Sequence, residues 1–395
     1  MGGRRWLTLT LAVAVLASCS PAPSKSPAAV VPPLPTFATA IPSLAPAEPA
    51  APTPEPRRLA DRWEPIDLPG ASDAPVGAVH GDPGFVIVGT DCRDACHNGA
   101  AAWFSADGVE WERVKLPDAN LGSGGMSEVA WSGSSYFAVG HEFGPGPDPN
   151  AGFVTAHFWR SEDGRAWTKL GSIELGSCYE GCPMASGLLA LPDGAMFVGS
   201  FVRTFKRVRA AWSVSGSDWN FIKSTAVGFA PGTDARVTAA TRFGSGIAAI
   251  WTTFDGRSSA WRTADAQSWS RLGRLDSAPT FESSIATDGR IIVVADSPCD
   301  EEDCTTAIWA SNDAGPFMKV ADRLRARWPR LTYTGEEFVL VADGPQALVW
   351  TSTDGSVWHD HAFDQPLDEC FQSLAGGGGM AILIGCGGAW IARGT

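Results

Sequence analysis

The sequence predicts an all-β fold, a seven-bladed β-propeller whose N-terminal strand closes the last blade, and three observations carry that expectation. First, a hairpin motif typified by Trp350-Thr351-Ser352-Thr353-Asp354-Gly355-Ser356-Val357-Trp358 recurs along the chain. Trp350 ends an apolar strand, Asp354-Gly355 supplies a tight turn with φ > 0, and Trp358 opens the returning strand. Second, the strand-ending tryptophans Trp103, Trp159, Trp212, Trp261, Trp309, Trp350 and Trp390 fall at intervals of 56, 53, 49, 48, 41 and 40 residues. That is the period of a unit containing several short strands. Third, the two ends of this region complete each other. After Trp358 there is sequence for strands at Cys370–Ala375, Ala381–Gly385 and Ala389–Ala392 but not for a fourth. Arg62-Trp63-Glu64-Pro65-Ile66-Asp67-Leu68-Pro69 matches Glu110-Trp111-Glu112-Arg113-Val114-Lys115-Leu116-Pro117 and supplies it, which leaves the ring without an open edge.

Within each repeat, two further strands precede the motif. Val129-Ala130-Trp131, the turn Ser132 to Ser135, and Tyr136 to Gly140 are one example, and Ser284 to Ala286, Thr287 to Arg290, and Ile291 to Val294 are another. These strands are nearly unbroken apolar runs, as required when a sheet is covered on both faces. Four antiparallel strands per repeat make a blade. In the motif, Ser105, Ser161 and Ser352 are followed two residues later by Asp107, Asp163 and Asp354, and then by Trp111, Trp167 and Trp358. Asp265 with Trp269, and Asp313 with Phe317, are weaker copies, and the copy from Trp212 to Trp219 has lost its Asp. Most of the 17 Trp residues are therefore structural.

The chain has 395 residues, is 44% hydrophobic and carries a formal net charge of −13, which excludes the concentrated basic face a nucleic-acid partner needs. At the N-terminus, Arg4 and Arg5 precede the short apolar run Leu7 to Leu16, about half the ~20 residues of a membrane span. Leu16-Ala17-Ser18-Cys19 resembles the lipobox of bacterial lipoproteins, which implies a signal peptide over 1–18 and a lipid on Cys19. The paired arginines leave Sec and twin-arginine export both open. Residues 19–58 are rich in Pro and Ala, cannot bury enough apolar surface to fold, and read as a disordered tether reaching up to roughly 100 Å at ~3.1 Å per residue. The propeller occupies 59–395. The eight remaining cysteines fall as Cys92/Cys96, Cys178/Cys182, Cys299/Cys304 and Cys370/Cys386, the spacing of four local disulfides in an exported protein. A metal site would want paired CxxC spacings or a nearby His, and Cys96-His97 is the one place that offers it. His359 and His361 alternate along a strand without a third ligand, so no metal or cofactor is expected.

The Ser-x-Asp-Gly-x-x-Trp core at 105–111, 161–167 and 352–358 resembles the Asp-box, or BNR repeat, of sialidases and other β-propellers. The resemblance spans about 59–395 and implies a turn between third and fourth strands, with the Asp accepting turn N–H groups. It implies no particular activity, because such boxes occur in hydrolases, receptors and assembly factors alike. Sialidases pair a Tyr nucleophile with a Glu, clamp a carboxylate with three Arg and use six blades. Here Tyr136 and Tyr333 fall at repeat-determined packing positions, Tyr179 lies in the small Cys178–Cys182 loop, and no catalytic residue carries over.

In such propellers ligands meet the face away from the Asp-box turns. Three segments there are candidates. Asp296, Asp300, Glu301, Glu302 and Asp303, gathered by Cys299/Cys304, offer a cation or basic-partner site or form a solvated acidic loop. Arg203, Lys206, Arg207 and Arg209 offer an acidic-glycan site or are the solvent face of a strand. The loop from His141 to Ala156 contains Glu142 and Asp148. The sequence thus supports a monomeric, envelope-anchored module that binds or scaffolds a protein or glycan without catalysis. The alternative is a sialidase-like glycoside hydrolase or lyase acting on extracellular glycans.

Overall fold

The computed structural model describes the chain between residues 63 and 394 apart from short internal stretches, the longer of them at 93–98, 146–151, 179–183, 192–195, 202–208, 214–217, 276–279, 344–347 and 362–369. The chain divides into two units, 1–55 and 56–395, and the described residues belong to the second. Residues 1–58, where the sequence leads to the expectation of a signal peptide, a lipid on Cys19 and a tether, lie outside the described residues.

The described strands are antiparallel throughout and their sheets follow chain order. The count of seven repeats is corrected here to six plus one. Blades 1 to 6 are consecutive segments (74–113, 123–177, 184–222, 235–275, 280–324 and 327–361), each running from an inner to an outer strand. The sheet around Trp390 is not another such repeat but a composite. Its strands Phe371–Gly377, Met380–Gly385 and Gly388–Arg393 are joined at the outer edge by Glu64–Ile66, with Pro65 opposite Trp390 and an Arg393–Glu64 ion pair of 2.7 Å. The inner strand of this closing sheet packs against the inner strands of both blade 6 and blade 1. Blade 5 departs from the four-strand pattern, because Asp303–Cys304 folds back on the end of its second strand and sets Cys304 opposite Cys299.

Both faces of each blade are buried, which is why the strands read as apolar runs. Val86, Val88, Ala102 and Phe104 face blade 2, while the alternate residues Phe85, Ile87, Ala101 and Trp103 face the closing sheet. Hydrophobic clusters of this kind fill the seam between each neighbouring pair. The closing segment also takes the role assigned to it: Trp103 Nε1 donates to Pro69 O at 2.8 Å, as Trp159 Nε1 does to Pro117 O at 3.5 Å. Trp251, Trp261 and Trp309 find no acceptor for their indole N–H among the described residues.

The Ser-x-Asp turns share one geometry in four blades. In each, one carboxylate oxygen accepts the hydroxyl two residues earlier and the N–H groups two and three residues later. Asp163 Oδ1 takes Ser161 Oγ at 3.1 Å, Arg165 N at 2.8 Å and Ala166 N at 2.8 Å, and Asp107, Asp265 and Asp354 do the same. The Trp indole then donates to the carbonyl three residues back, as Trp167 Nε1 does to Gly164 O at 2.9 Å. Asp313 breaks the pattern and corrects the expectation for blade 5. It sits at φ 49°, donates its own N–H to Arg290 O, and leaves Ser311 Oγ to bond Gly315 O instead. The residue after the box Asp, at φ between 56° and 76° in Gly108, Gly164, Ala266 and Gly355, tucks against the preceding sheet. A Cβ on Gly164 would run into Phe104 of blade 1, and one on Gly355 would come within 2.8 Å of Val293 of blade 5.

Cys370 and Cys386 form a disulfide across the first hairpin of the closing sheet, whose turn is Gly378-Gly379. Cys178 is also disulfide-bonded. Cys92 is buried; Cys96 and Cys182 lie outside the described residues.

Candidate functional site

In an antiparallel four-stranded blade, the turns joining strands 1–2 and 3–4 lie at one end, and the 2–3 loops and inter-blade links lie at the other. The Ser-x-Asp turns are 3–4 turns. A cavity of about 680 Å³ is lined by residues toward the starts of the inner strands, at the opposite end, and every one of the inner strands contributes. This is the central channel on the face where sequence reasoning placed the ligand.

The channel wall is shaped by a backbone irregularity that recurs. In the described structure every inner strand carries a β-bulge against its second strand, at or beside Val76, Ser127, Gly187-Leu188, Thr238, Phe281, Trp328-Pro329 and Gln372. A bulge re-aims the side chains around it. Three bulge residues turn back on the same second-strand position: Ser127 Oγ meets His141 Nδ1 at 3.2 Å, Thr238 Oγ1 meets Thr252 Oγ1 at 3.2 Å, and Gln372 Nε2 meets Cys386 Sγ at 3.4 Å. Ser127 and His141 therefore form a bulge lock with counterparts in blade 4 and in the closing sheet, and not a nucleophile–base pair. Burial lowers the His141 pKa to about 4, with His157 adding to the shift, so the imidazole is neutral near pH 7.

One register position, the inner-strand residue paired with Val88 and its equivalents, holds Gly77, Glu128, Ala239, Ser284, Arg330 and Ser373. Each makes the joint to the next blade. Glu128 accepts Gly187 N at 3.0 Å and Leu188 N at 2.6 Å. Ser284 accepts Leu331 N at 2.9 Å, Arg330 Nε donates to Gln372 O at 3.0 Å, and Ser373 accepts Ala78 N at 3.2 Å. Ala239 packs with Ile285, and Gly77 allows the closest approach, since a Cβ there would lie 2.9 Å from Ser127 O. Arg330 also pairs with Glu282 at 3.4 Å. Burial raises the Glu128 carboxyl above its usual value, against the pull of the Leu188 and Gly187 N–H groups and of Arg330. Burial lowers the Arg236 guanidinium, with Glu282 opposing.

The candidates named from sequence fare unevenly. Glu142 does not sit in a loop: strands Tyr136–Pro145 and Gly152–Ser161 continue as a paired ribbon through that stretch, and Glu142 Oε2 meets His157 Nε2 at 2.8 Å. Asp296 is fully buried and accepts Ser283 Oγ at 3.0 Å, so it is removed from the acidic loop. Asp300 ends a strand opposite Asp303. Tyr179, Arg203, Arg207 and Glu301 lie outside the described residues. Tyr136 is buried with its hydroxyl on Gly84 O at 2.8 Å, and Tyr333 donates to Gly335 O at 3.0 Å, so neither lines the channel. His359 and His361 lie on one short strand, with His361 Nε2 on Thr351 Oγ1 at 2.9 Å. Glu128, Arg236, Glu282 and Arg330 were missed. Their signal was a charged residue inside the apolar first strand of a repeat, as in Met126-Ser127-Glu128-Val129.

No family model matches the chain and no curated protein matches it. Solved structures do. A structure described as YCF48 bound to D1 peptide aligns with TM-score 0.52 and 17% identity over 86% of this chain and 99% of that one. A streptogramin B lyase aligns with TM-score 0.55 and 10% identity over 85% and 98%. At these identities the likeness shows the β-propeller fold alone. A Trypanosoma rangeli sialidase aligns less closely, with TM-score 0.43 and 10% identity over 77% of this chain and 57% of that one.

Proposed function

We propose that this chain is a non-enzymatic binding or scaffolding lipoprotein of the bacterial cell envelope, anchored through Cys19 and presenting the channel face to its ligand. The observation that carries the reading is the employment of the channel's charged groups. Glu128 is spent on two main-chain N–H groups of the next blade, and Glu282 and Arg330 hold each other. Carboxylates working as inter-blade joints are poorly placed to protonate a leaving group or to attack. The YCF48 structure, a propeller of nearly the same extent with a bound peptide, accords with a binding role. The Asp-box label and the export route rest on sequence resemblance.

The test is a panel of fluorogenic glycosides, sialosides included, incubated with the full-length protein. The binding reading expects release no faster than buffer, unchanged in Glu128→Gln and Glu282→Gln. Turnover abolished by either change overturns it. For the anchor, wild type should incorporate labelled palmitate and fractionate with membranes, whereas Cys19→Ser should do neither.

A further inference from the structure

In blades 2 and 4 an arginine follows the strand-ending Trp, as Arg160 and Arg262; blades 1, 3, 5 and 6 have Phe104, Ser213, Ala310 and Thr351 there. The two arginines occupy the same place in their sheets. Arg160 pairs with Phe137 on the second strand and Thr168 on the fourth, and Arg262 pairs with Ala248 and Ser270. Both are exposed. Their surroundings differ at every contact. Arg160 Nε donates to Ser135 Oγ at 3.1 Å, its Nη2 donates to Glu162 Oε1 at 3.2 Å, and its guanidinium lies 5.9 Å from the centre of the Phe137 ring. In blade 4 the residues at these three positions are Gly246, Ala264 and Ala248. None of them has a side chain able to bond a guanidinium. Among the described residues that of Arg262 has no hydrogen-bond or ion-pair partner.

The loss of those side chains leaves space. A groove of about 470 Å³ is lined by Arg262, Gly246 and Ala264, with Ser245 and Ser270 beside them and Gly289 from blade 5. Unlike the hydroxyls that lock the bulges, those of Ser245 and Ser270 are exposed and make no hydrogen bond among the described residues. Asp265 is the one acidic residue in the described lining, and its Oδ1 is filled by Thr263 Oγ1 and by the N–H groups of Gln267 and Ser268. Its charge does not bar a second carboxylate. In blade 2, Asp163 makes the same bonds while the neighbouring Glu162 carboxylate sits on Arg160. Blade 2 therefore carries within its own chain the group that the blade 4 groove lacks. A guanidinium and a carboxylate match in charge and in hydrogen-bond geometry, and a groove of this size takes a small ligand.

We infer that the blade 4 groove binds a carboxylate-bearing small molecule, with Arg262 receiving the carboxylate in the seat that Glu162 fills in blade 2. The groove lies at the turn end, away from the channel mouth, so its occupancy is independent of what the channel binds. The test is isothermal titration of the full-length protein in non-ionic detergent with succinate, citrate and glucuronate, alongside phosphate, sulfate and the neutral analogues succinamide and glucose. At least one carboxylate should bind and its neutral analogue should not. Arg262→Gln should weaken that binding tenfold or more at an unchanged melting temperature, since an exposed side chain without partners has no packing to lose. Ala264→Glu, which rebuilds the blade 2 pair in blade 4, should weaken it as much by filling the seat, while Arg160→Gln should bind as wild type. Binding of no carboxylate, or phosphate or sulfate binding as tightly as the best carboxylate, overturns the inference. So does wild-type affinity in Arg262→Gln or Ala264→Glu, or an equal loss in Arg160→Gln.

Discussion

At one end of the blades, Asp107, Asp163, Asp265 and Asp354 repeat a single hydrogen-bonding scheme, whereas at the other a single register position is filled by Gly77, Glu128, Ala239, Ser284, Arg330 and Ser373. The turn end solves a local problem, closing one hairpin, so the same residues work wherever it arises. The channel end solves an inter-blade problem, in which each inner strand must be joined to a different neighbour. Glu128, Ser284, Arg330 and Ser373 reach the main chain of the next sheet, while Ala239 packs with Ile285 and Gly77 allows close approach. A repeat is recognised by its self-contained turns, and its individuality collects where blades meet around the channel.

The sharpest way to break this comparison is at the turn glycine. Gly164→Val adds left-handed strain and a collision with Phe104, and is expected to lower stability by about 2–5 kcal/mol in urea unfolding. Ala266→Gly, at the same position in blade 4, should change it by less than about 1 kcal/mol. At the channel end, Glu128→Ala strands the N–H groups of Gly187 and Leu188 and should cost about 2–3 kcal/mol. A much smaller loss would mean that the joints are incidental.

Within the turn end, Asp163→Ala should cost about 1–2 kcal/mol. Asp313→Ala, whose carboxylate makes no such bonds, should be nearly silent.

Acid sharpens the contrast further. Backbone N–H groups hold Asp107, Asp163 and Asp265 below the usual carboxylate value; at Asp354 burial opposes the shift and is outweighed by Val357 and Ser356 N–H. Their contribution is present above the unfolded-state value and is lost as pH falls through the folded one. Glu128 runs the other way: burial raises it, so its contribution is complete below its unfolded value of 4.5 and is lost as pH rises through the folded value. Unfolding curves between about pH 3 and pH 7 should show Glu128→Gln gaining on wild type as pH rises, and Asp163→Asn gaining on wild type as pH falls.

The turns were legible because their chemistry is local: Ser161, Asp163 and Trp167 lie within a few residues of one another and their spacing states the geometry. Pairing Arg62–Pro69 with the last three strands was legible for the same reason, through the match to Glu110–Pro117. The channel was not. Which face of an inner strand lines it depends on bulges that shift the alternation, and nothing in Ser127-Glu128 or Pro329-Arg330 announces a bulge. Asp313 misled because its spacing is right while Pro316 stands three residues later, where the other turns supply an N–H to the carboxylate. Glu142 and Asp296 misled because strand ends were taken for loops.

The junction of Glu64–Ile66 with Gly388–Arg393 has a consequence for how the molecule is made. The Arg393–Glu64 contact spans 329 positions in sequence, so this pairing is among the last that a growing or emerging chain can form. Blades 1 to 6 can each assemble from a contiguous segment, but the final seam must wait for the far end of the chain. If the lipid is attached as proposed, the strand that waits is also the one leading to the membrane, and assembly ends where the anchor begins.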